Sequence, residues 1–268
     1  MGGLALGPMA LSGERAAVLA GLIVLLLATG LIARRMGPAI AGWASAAAIS
    51  GGIAARLGFV VQNATTYLAD PLSVFAIWQG GFSPLWGIAG FALATGWHLW
   101  RNPDLILPAA ASVLFAVGGW NIVWQLTRGE AVALPSGAVL ATLSGAPVAP
   151  GDWEGRPLVI NLWASWCPPC RREMPMMAEL AAADTGAEFV FVNQGEGAEA
   201  VRRYLSREGI VIAPVLDPTS QLMRHYGSMG LPVTLFIDAQ GQLHTAHMGE
   251  ISRAGLLAGI AAIRTGTE

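Results

Sequence analysis

Cysteine is nearly absent from this chain: 268 residues hold two, Cys167 and Cys170, and none precedes them. Histidine is almost as scarce, with His98, His225, His244 and His247 following no spacing pattern. These shortages remove most metal and haem readings. A structural zinc site commonly takes four ligands in paired Cys or His spacings. Attachment of c-type haem needs His directly after the second cysteine, where Arg171 stands. His98 is the only histidine of the N-terminal half and gives no ligand pair there, and without a thiol that half cannot relay electrons by dithiol exchange. Charge is also short, at 12% of residues against about 25% in an average soluble protein.

The missing charge is unevenly spread. Residues 1–128 carry six arginines and only Glu14, Asp70 and Asp104 as acids, whereas 129–268 carry fourteen acids and nine arginines. The first part reads as lipid-embedded and the second as soluble. About four segments, 16–33, 39–61, 85–100 and 105–126, approach the roughly 20 apolar residues that a spanning helix needs. The second is rich in Ala, Gly and Ser, which suits close helix packing. Trp78, Trp86, Trp97, Trp100, Trp120 and Trp124 lie near the span ends, where amphipathic rings favour the membrane interface. A cleaved signal peptide at 17–33 does not explain the three later apolar runs. Arg34 and Arg35 after the first span and Arg101 after the third set the orientation: both sites are cytoplasmic if the N-terminus is outside. An even number of spans then puts the C-terminal domain outside as well, and a single CxxC with no other thiol suits that oxidising side. The expectation is a multi-pass protein of the inner (cytoplasmic) membrane, with its N-terminus and soluble domain on the periplasmic or outer side. Its partners are the lipid bilayer and other proteins, not nucleic acid.

What is present is the stretch Trp166-Cys167-Pro168-Pro169-Cys170, between the apolar run Leu158-Val-Ile-Asn-Leu-Trp-Ala164 and a helix-like segment that follows. At a strand-to-helix junction the helix N-terminus stabilises a thiolate, lowering a cysteine pKa from about 8.5 to roughly 3.5–7.5. Cys167 is therefore expected to be nucleophilic near neutral pH. A purely structural disulfide here closes so short a loop that it constrains the unfolded chain little. Redox catalysis is the better reading. Pro168 and Pro169 are tolerated in a first helical turn, whose N–H groups lack intrahelical partners, and their rigidity is expected to tune the redox potential. Around the motif, strands are predicted at 157–164, 188–193, 210–216 and 233–238, with a weaker one at 242–248. Helices are predicted at 169–183, 199–208, 220–226 and 252–264. The fold class is multi-domain: an α-helical transmembrane domain at 1–128, a linker at 129–137 containing Gly129, Pro135 and Gly137, and an α/β domain at 138–268.

Residues 161–175, Asn-Leu-Trp-Ala-Ser-Trp-Cys-Pro-Pro-Cys-Arg-Arg-Glu-Met-Pro, with Val192-Asn-Gln-Gly-Glu196 and Gly230-Leu-Pro-Val-Thr-Leu-Phe-Ile-Asp238, resemble the thioredoxin superfamily, and more closely its membrane-tethered TlpA/ResA/CcmG branch. The resemblance implies that Cys167 is the exposed attacking thiol and Cys170 the resolving one. It makes Pro232 the family's cis-proline, with Leu231 offering backbone groups to a bound substrate strand beside Trp166. Thioredoxin's buried aspartate is replaced by Asn161, which cannot take up a proton. Glu173, one helical turn beyond Cys170, matches a glutamate important in the ResA-like branch and is the expected acid/base; Glu196 is a weaker second. No cofactor beyond the Cys167–Cys170 disulfide and no metal is expected. The family implies a protein-disulfide reductase acting on exported proteins, such as apocytochrome c or copper-site proteins, and recharged by a membrane electron donor of the CcdA or DsbD type. An oxidase is the nearest alternative. Ser165-Trp166 before Cys167 argues against a thiol peroxidase. The intact set Cys167, Cys170, Pro232 and Glu173 argues against a non-catalytic scaffold.

Residues 6–100 resemble the first part of prolipoprotein diacylglyceryl transferase (Lgt), through Leu6-Gly-Pro8, Ala55-Arg-Leu-Gly-Phe-Val-Val61, Ala69-Asp-Pro-Leu72 and Phe75-Ala-Ile-Trp-Gln-Gly-Gly-Phe-Ser83. That family's catalytic histidine is replaced by Pro84-Leu85-Trp86 and its early tyrosine by Glu14, and its arginine signature has no clear equivalent, the nearest segment being Gly118-Gly-Trp-Asn121, without arginine. Its later spans are missing. The resemblance therefore implies a repurposed anchor and not a transferase.

Overall fold

The computed structural model describes residues 4–6, 9–11, 13–127 and 132–265. Gly7 and Pro8 of the Lgt-like pattern, Arg128 at the end of the expected membrane domain, and residues 129–131 at the start of the expected linker lie outside the described residues. The chain divides into two compact units, Gly13–Arg128 and a second comprising Met1–Ser12 with Gly129–Glu268. At the N-terminus β1 (Leu4–Leu6) pairs antiparallel with β2 (Met9–Leu11).

The first unit is helical: α1 (Gly13–Met36), α2 (Ala39–Gln62), α3 (Ala64–Ala69), α4 (Pro84–Arg101) and α5 (Ile106–Thr127), with short 3-10 turns at Pro71–Phe75, Ile77–Gln79 and Pro103–Leu105. Helix α1 packs against α5 and α2 against α4. The buried stripe of α2, Ile40, Ala44, Ala47, Gly51, Ala55 and Gly58, repeats every three or four residues, so that small side chains meet the neighbouring helix. Gly58 illustrates the closeness: a Cβ there would stand 2.1 Å from Cγ of Trp86. Among the described residues, three helices, Gly13–Met36, Ala39–Gln62 and Pro103–Thr127, are long and apolar enough to cross a membrane. The third expected span forms α4 but is not among them, because its 18 residues include His98, Arg101 and three tryptophans.

Between α2 and α4 the chain is organised by Arg56, which is 8% exposed. Its guanidinium donates to the carbonyls of Ser73, Val74, Gly80 and Gly81 at 2.7–3.0 Å. The rings of Tyr67 and Phe82 lie 5.5 and 5.8 Å from its Cζ.

The second unit runs β3 (Leu140–Thr142), β4 (Pro147–Val148), β5 (Leu158–Trp163), α6 (Pro168–Ala182), β6 (Glu188–Gln194), α7 (Ala198–Glu208), β7 (Val215–Asp217), α8 (Gln221–His225), β8 (Val233–Ile237), β9 (Leu243–Met248) and α9 (Arg253–Thr265). Its sheet has the order β4-β3-β7-β6-β5-β8-β9, with β5, β6 and β7 parallel and the other pairings antiparallel. All six residues of β5 are buried, as a central strand covered on both faces requires. Val159 and Trp163 point into a core shared with α6, α7 and α9, while Leu158, Ile160 and Leu162 point into the opposite one.

One predicted strand needs correction. The strand predicted over 210–216 exists only as Val215–Asp217, since Pro214 has no N–H to offer a ladder. Within the stretch read as a linker, residues 132–134 pair with the chain at 241–243: Leu134 N–H donates to Gly241, Leu243 N–H donates to Val132, and Ala133 bridges Gln242. The expected weak strand is a full six residues, held to β8 through a turn in which Asp238 Oδ1 accepts from the N–H groups of Gln240 and Gln242.

Candidate active site

Strand β5 ends at Trp163, and residues 164–167 form a turn closed by Cys167 N–H donating to Ala164 at 3.2 Å. Cys167 is then the N-cap of α6, with Pro168 and Pro169 in the first turn. Those two prolines remove two N–H donors from the helix N-terminus. The donor that remains is Cys170 N–H, 3.3 Å from Cys167 Sγ. The cysteines form a disulfide with a Cα–Cα distance of 5.3 Å. Cys167 keeps 3% of its surface and Cys170 none, so the sulfur expected to be exposed is covered in this oxidised form except for a small face. Trp166, beside it, is 67% exposed.

Both cysteines belong to the core cluster that includes Trp163, Met174, Tyr204 and Phe236, and Leu231 packs against that cluster. The Leu231–Pro232 peptide is cis. Pro232 is buried, and its carbonyl accepts from Gly249 N–H at 2.9 Å.

Glu173 is 2% exposed on the buried face of α6. Asn161 Nδ2 donates to Oε1 and Ile251 N–H to Oε2, each at 3.0 Å. Burial pushes the carboxyl up to about 8, against the opposing pull of these two donors; Glu250 adds to the rise and Arg172 reduces it. A carboxyl held near 8 can exchange a proton close to neutrality. Glu196 lies elsewhere, on the loop after β6, and binds Ser165 and Asn193. Neither the Asn161–Glu173 bond nor the Glu196–Ser165 bond follows from local sequence pattern. Their only sequence signal is that four polar residues fall beside a strongly apolar strand pair.

The family model described as Redoxin matches residues 129–258. The thiol-disulfide oxidoreductase ResA of Geobacillus kaustophilus is 34% identical over 147 residues, which cover 53% of this chain and 84% of that protein. The chain belongs to the ResA-type thiol-disulfide oxidoreductases. ResA of Bacillus subtilis is 33% identical over 137 residues, covering 49% and 76% respectively. A secreted Mycobacterium tuberculosis disulfide oxidoreductase homologous to E. coli DsbE superposes with a TM-score of 0.42 at 26% identity, over 47% of this chain and 95% of that one. In this ResA-type chain the redox-active group is the Cys167–Cys170 disulfide at the N-terminus of α6.

Proposed function

We propose that this protein is a membrane-anchored disulfide reductase that acts on exported proteins outside the cytoplasmic membrane. The observation that carries the reading is the Cys170 N–H on Cys167 Sγ at the mouth of α6, one turn from the buried Glu173. In the reduced protein the Cys167 thiolate attacks one sulfur of a substrate disulfide, forming a mixed disulfide and expelling the other sulfur as a thiolate, which takes a proton. As pH approaches about 8, the fraction of Glu173 that is ionised takes the proton of Cys170, whose sulfur attacks Cys167 Sγ. The second substrate sulfur leaves as a thiolate, which takes up a proton, and the Cys167–Cys170 disulfide forms. Electrons are restored by a membrane dithiol donor of the CcdA or DsbD type, since the helical unit contains no thiol.

Trp166, Leu231 and the cis Pro232 form the substrate face in this reading, and Pro168 and Pro169 tune the potential by withholding N–H donors from the sulfur. The N-terminal unit is a repurposed Lgt-like anchor whose apolar helices hold the catalytic unit at the bilayer. The direction, reduction of exported proteins such as apocytochrome c or copper-site proteins, rests on the ResA-like resemblance.

Trapping tests the function. Cys170→Ala in the full-length protein accumulates mixed disulfides through Cys167, and mass spectrometry names the partners. Equal trapping by Cys167→Ala would overturn the assignment of the attacking sulfur. Labelling of Cys167 by a membrane-impermeant maleimide in intact cells tests the location, and labelling only after lysis would refute it.

A further inference from the structure

One carboxylate away from the disulfide is engaged in a way that a solvated loop acid would not be. Oε2 of Glu196 accepts from Ser165 N–H at 2.6 Å and from Asn193 Nδ2 at 2.7 Å, while Oε1 accepts from Ser165 Oγ at 2.5 Å. Asn193 is fully buried at the end of β6, where it pairs in register with Trp163, the last residue of β5. Gly195 turns the chain back at φ 75°, its N–H donating to Asp217 at 3.0 Å, and this brings Glu196 over the end of β5.

Ser165 is not an arbitrary anchor. It is the second residue of the four-residue turn that runs from Ala164 to Cys167, and Cys167 then accepts the first helical bond, from Arg171 N–H at 3.1 Å. Whatever fixes Ser165 therefore fixes the backbone that delivers Sγ to Cys170 N–H. With three donors on its two oxygens, Glu196 is tied to the turn through Ser165 and to β6 through Asn193.

We propose that Glu196 is a positioning residue: through its paired bonds to Ser165 it holds the 164–167 turn, and thereby keeps Cys167 Sγ on the Cys170 amide. The proposal deepens the reading of Cys167 as the attacking thiol and rests on it. The clamp also places a negative charge close to the nucleophile. Geometry and charge thus oppose each other, the clamp favouring the thiolate and the charge disfavouring it.

That opposition provides the test. The full-length protein, reduced and in detergent micelles, is assayed for iodoacetamide alkylation of Cys167 across pH 5–9 and for insulin reduction. Glu196→Asp keeps the charge but is one methylene too short for the clamp. Its alkylation midpoint moves to higher pH, and insulin reduction falls roughly tenfold, within the loss of up to about a hundredfold that a 1 Å misplacement brings. Glu196→Gln accepts from Ser165 N–H and Asn193 through its oxygen and meets Ser165 Oγ through its amide. Its midpoint moves to lower pH, and it recovers the rate lost in Glu196→Asp. Ser165→Ala adds no further loss to Glu196→Asp, as expected of two residues acting as one unit.

A wild-type profile and rate in Glu196→Asp would overturn the proposal, as would losses from Ser165→Ala and Glu196→Asp that simply multiply. If Glu196→Asp fails to fold, midpoints in Ser165→Ala and Glu196→Gln that stay at the wild-type pH overturn it instead. Failure of the wild-type chain to reduce insulin would refute the proposed function, while the alkylation profile still judges the clamp.

Discussion

Asn161 donates through Nδ2 to Oε1 of Glu173 at 3.0 Å, tying the middle of β5 to the helix that carries both cysteines. Asn161 Oδ1 and Thr234 Oγ1 are buried without hydrogen-bond partners, and their residues face each other across β5 and β8. Two donors would ordinarily favour a carboxylate. Burial wins here, and Glu173 is held near 8, three residues after Cys170 on the same helix.

That elevation makes stability depend on pH in a stated direction. Glu173 keeps its proton in the folded protein up to about 8, whereas an unfolded glutamate releases it near 4.5. Between those values the folded state binds more protons, so stability is full below about 4.5, declines as pH rises, and levels off above about 8. The slope from this one group reaches at most about 1.4 kcal/mol per pH unit. Urea unfolding of the oxidised protein at pH 5, 6.5, 8 and 9 measures it. Glu173→Gln removes the slope, and an unchanged slope would assign it to another group.

Asn161→Asp puts a second carboxyl where Glu173 now receives a donor. Two acids at that separation cannot both ionise, and they titrate as a coupled pair. The variant is expected to lose about 2 kcal/mol or more at pH 8, the scale of a lost bond to a charged group. Most of the loss returns at pH 5, where the pair retains a proton. A thermal melt at each pH decides it, and equal melting temperatures for variant and wild type at pH 8 would contradict the account.

The legible parts of this molecule were those written locally. Leu158–Trp163 reads as a buried strand from its apolar run, and the CxxC after it marks the helix start because proline follows the first cysteine twice. The contacts that set the chemistry are not local. Asn161 meets Glu173 twelve positions away and Ser165 meets Glu196 thirty-one positions away, pairings that only the sheet topology creates. Short elements were equally invisible: β4 has two residues, too few for any alternation to register. The stretch 210–214 carried β-branched residues without forming a strand, since its last residue is a proline.

Pro169→Ala tests the role of the missing donors. The substitution adds one N–H to the first turn of α6, beside the Cys170 N–H that now meets Sγ alone. A hydrogen bond to a charged group contributes about 1.5–3 kcal/mol, so the Cys167 thiolate is stabilised and its pKa falls by about one unit or more. Stabilising the reduced form makes the couple more oxidising, by about 30 mV for each 1.4 kcal/mol. Titration against glutathione buffers, read by alkylation, measures the change, and a shift to more reducing potential would refute this account of the two prolines.

Arg56→Lys probes the helical unit separately. Five hydrogen bonds leave the Arg56 guanidinium for four backbone carbonyls spread over residues 73–81, and the group is nearly buried. An ammonium has three N–H groups radiating from one atom and cannot reproduce that planar fork, so carbonyls at one end of the loop lose their partner. Buried acceptors left unpaired cost about 1–3 kcal/mol each. The expected result is local: in detergent, residues 64–83 become the first site of proteolytic cleavage, and the helical unit melts at lower temperature. Insulin reduction persists, because the cysteines belong to a unit with its own sheet and core. Cleavage that begins elsewhere, with 64–83 as resistant as in the wild type, would mean that the loop is held by its 3-10 turns and not by Arg56.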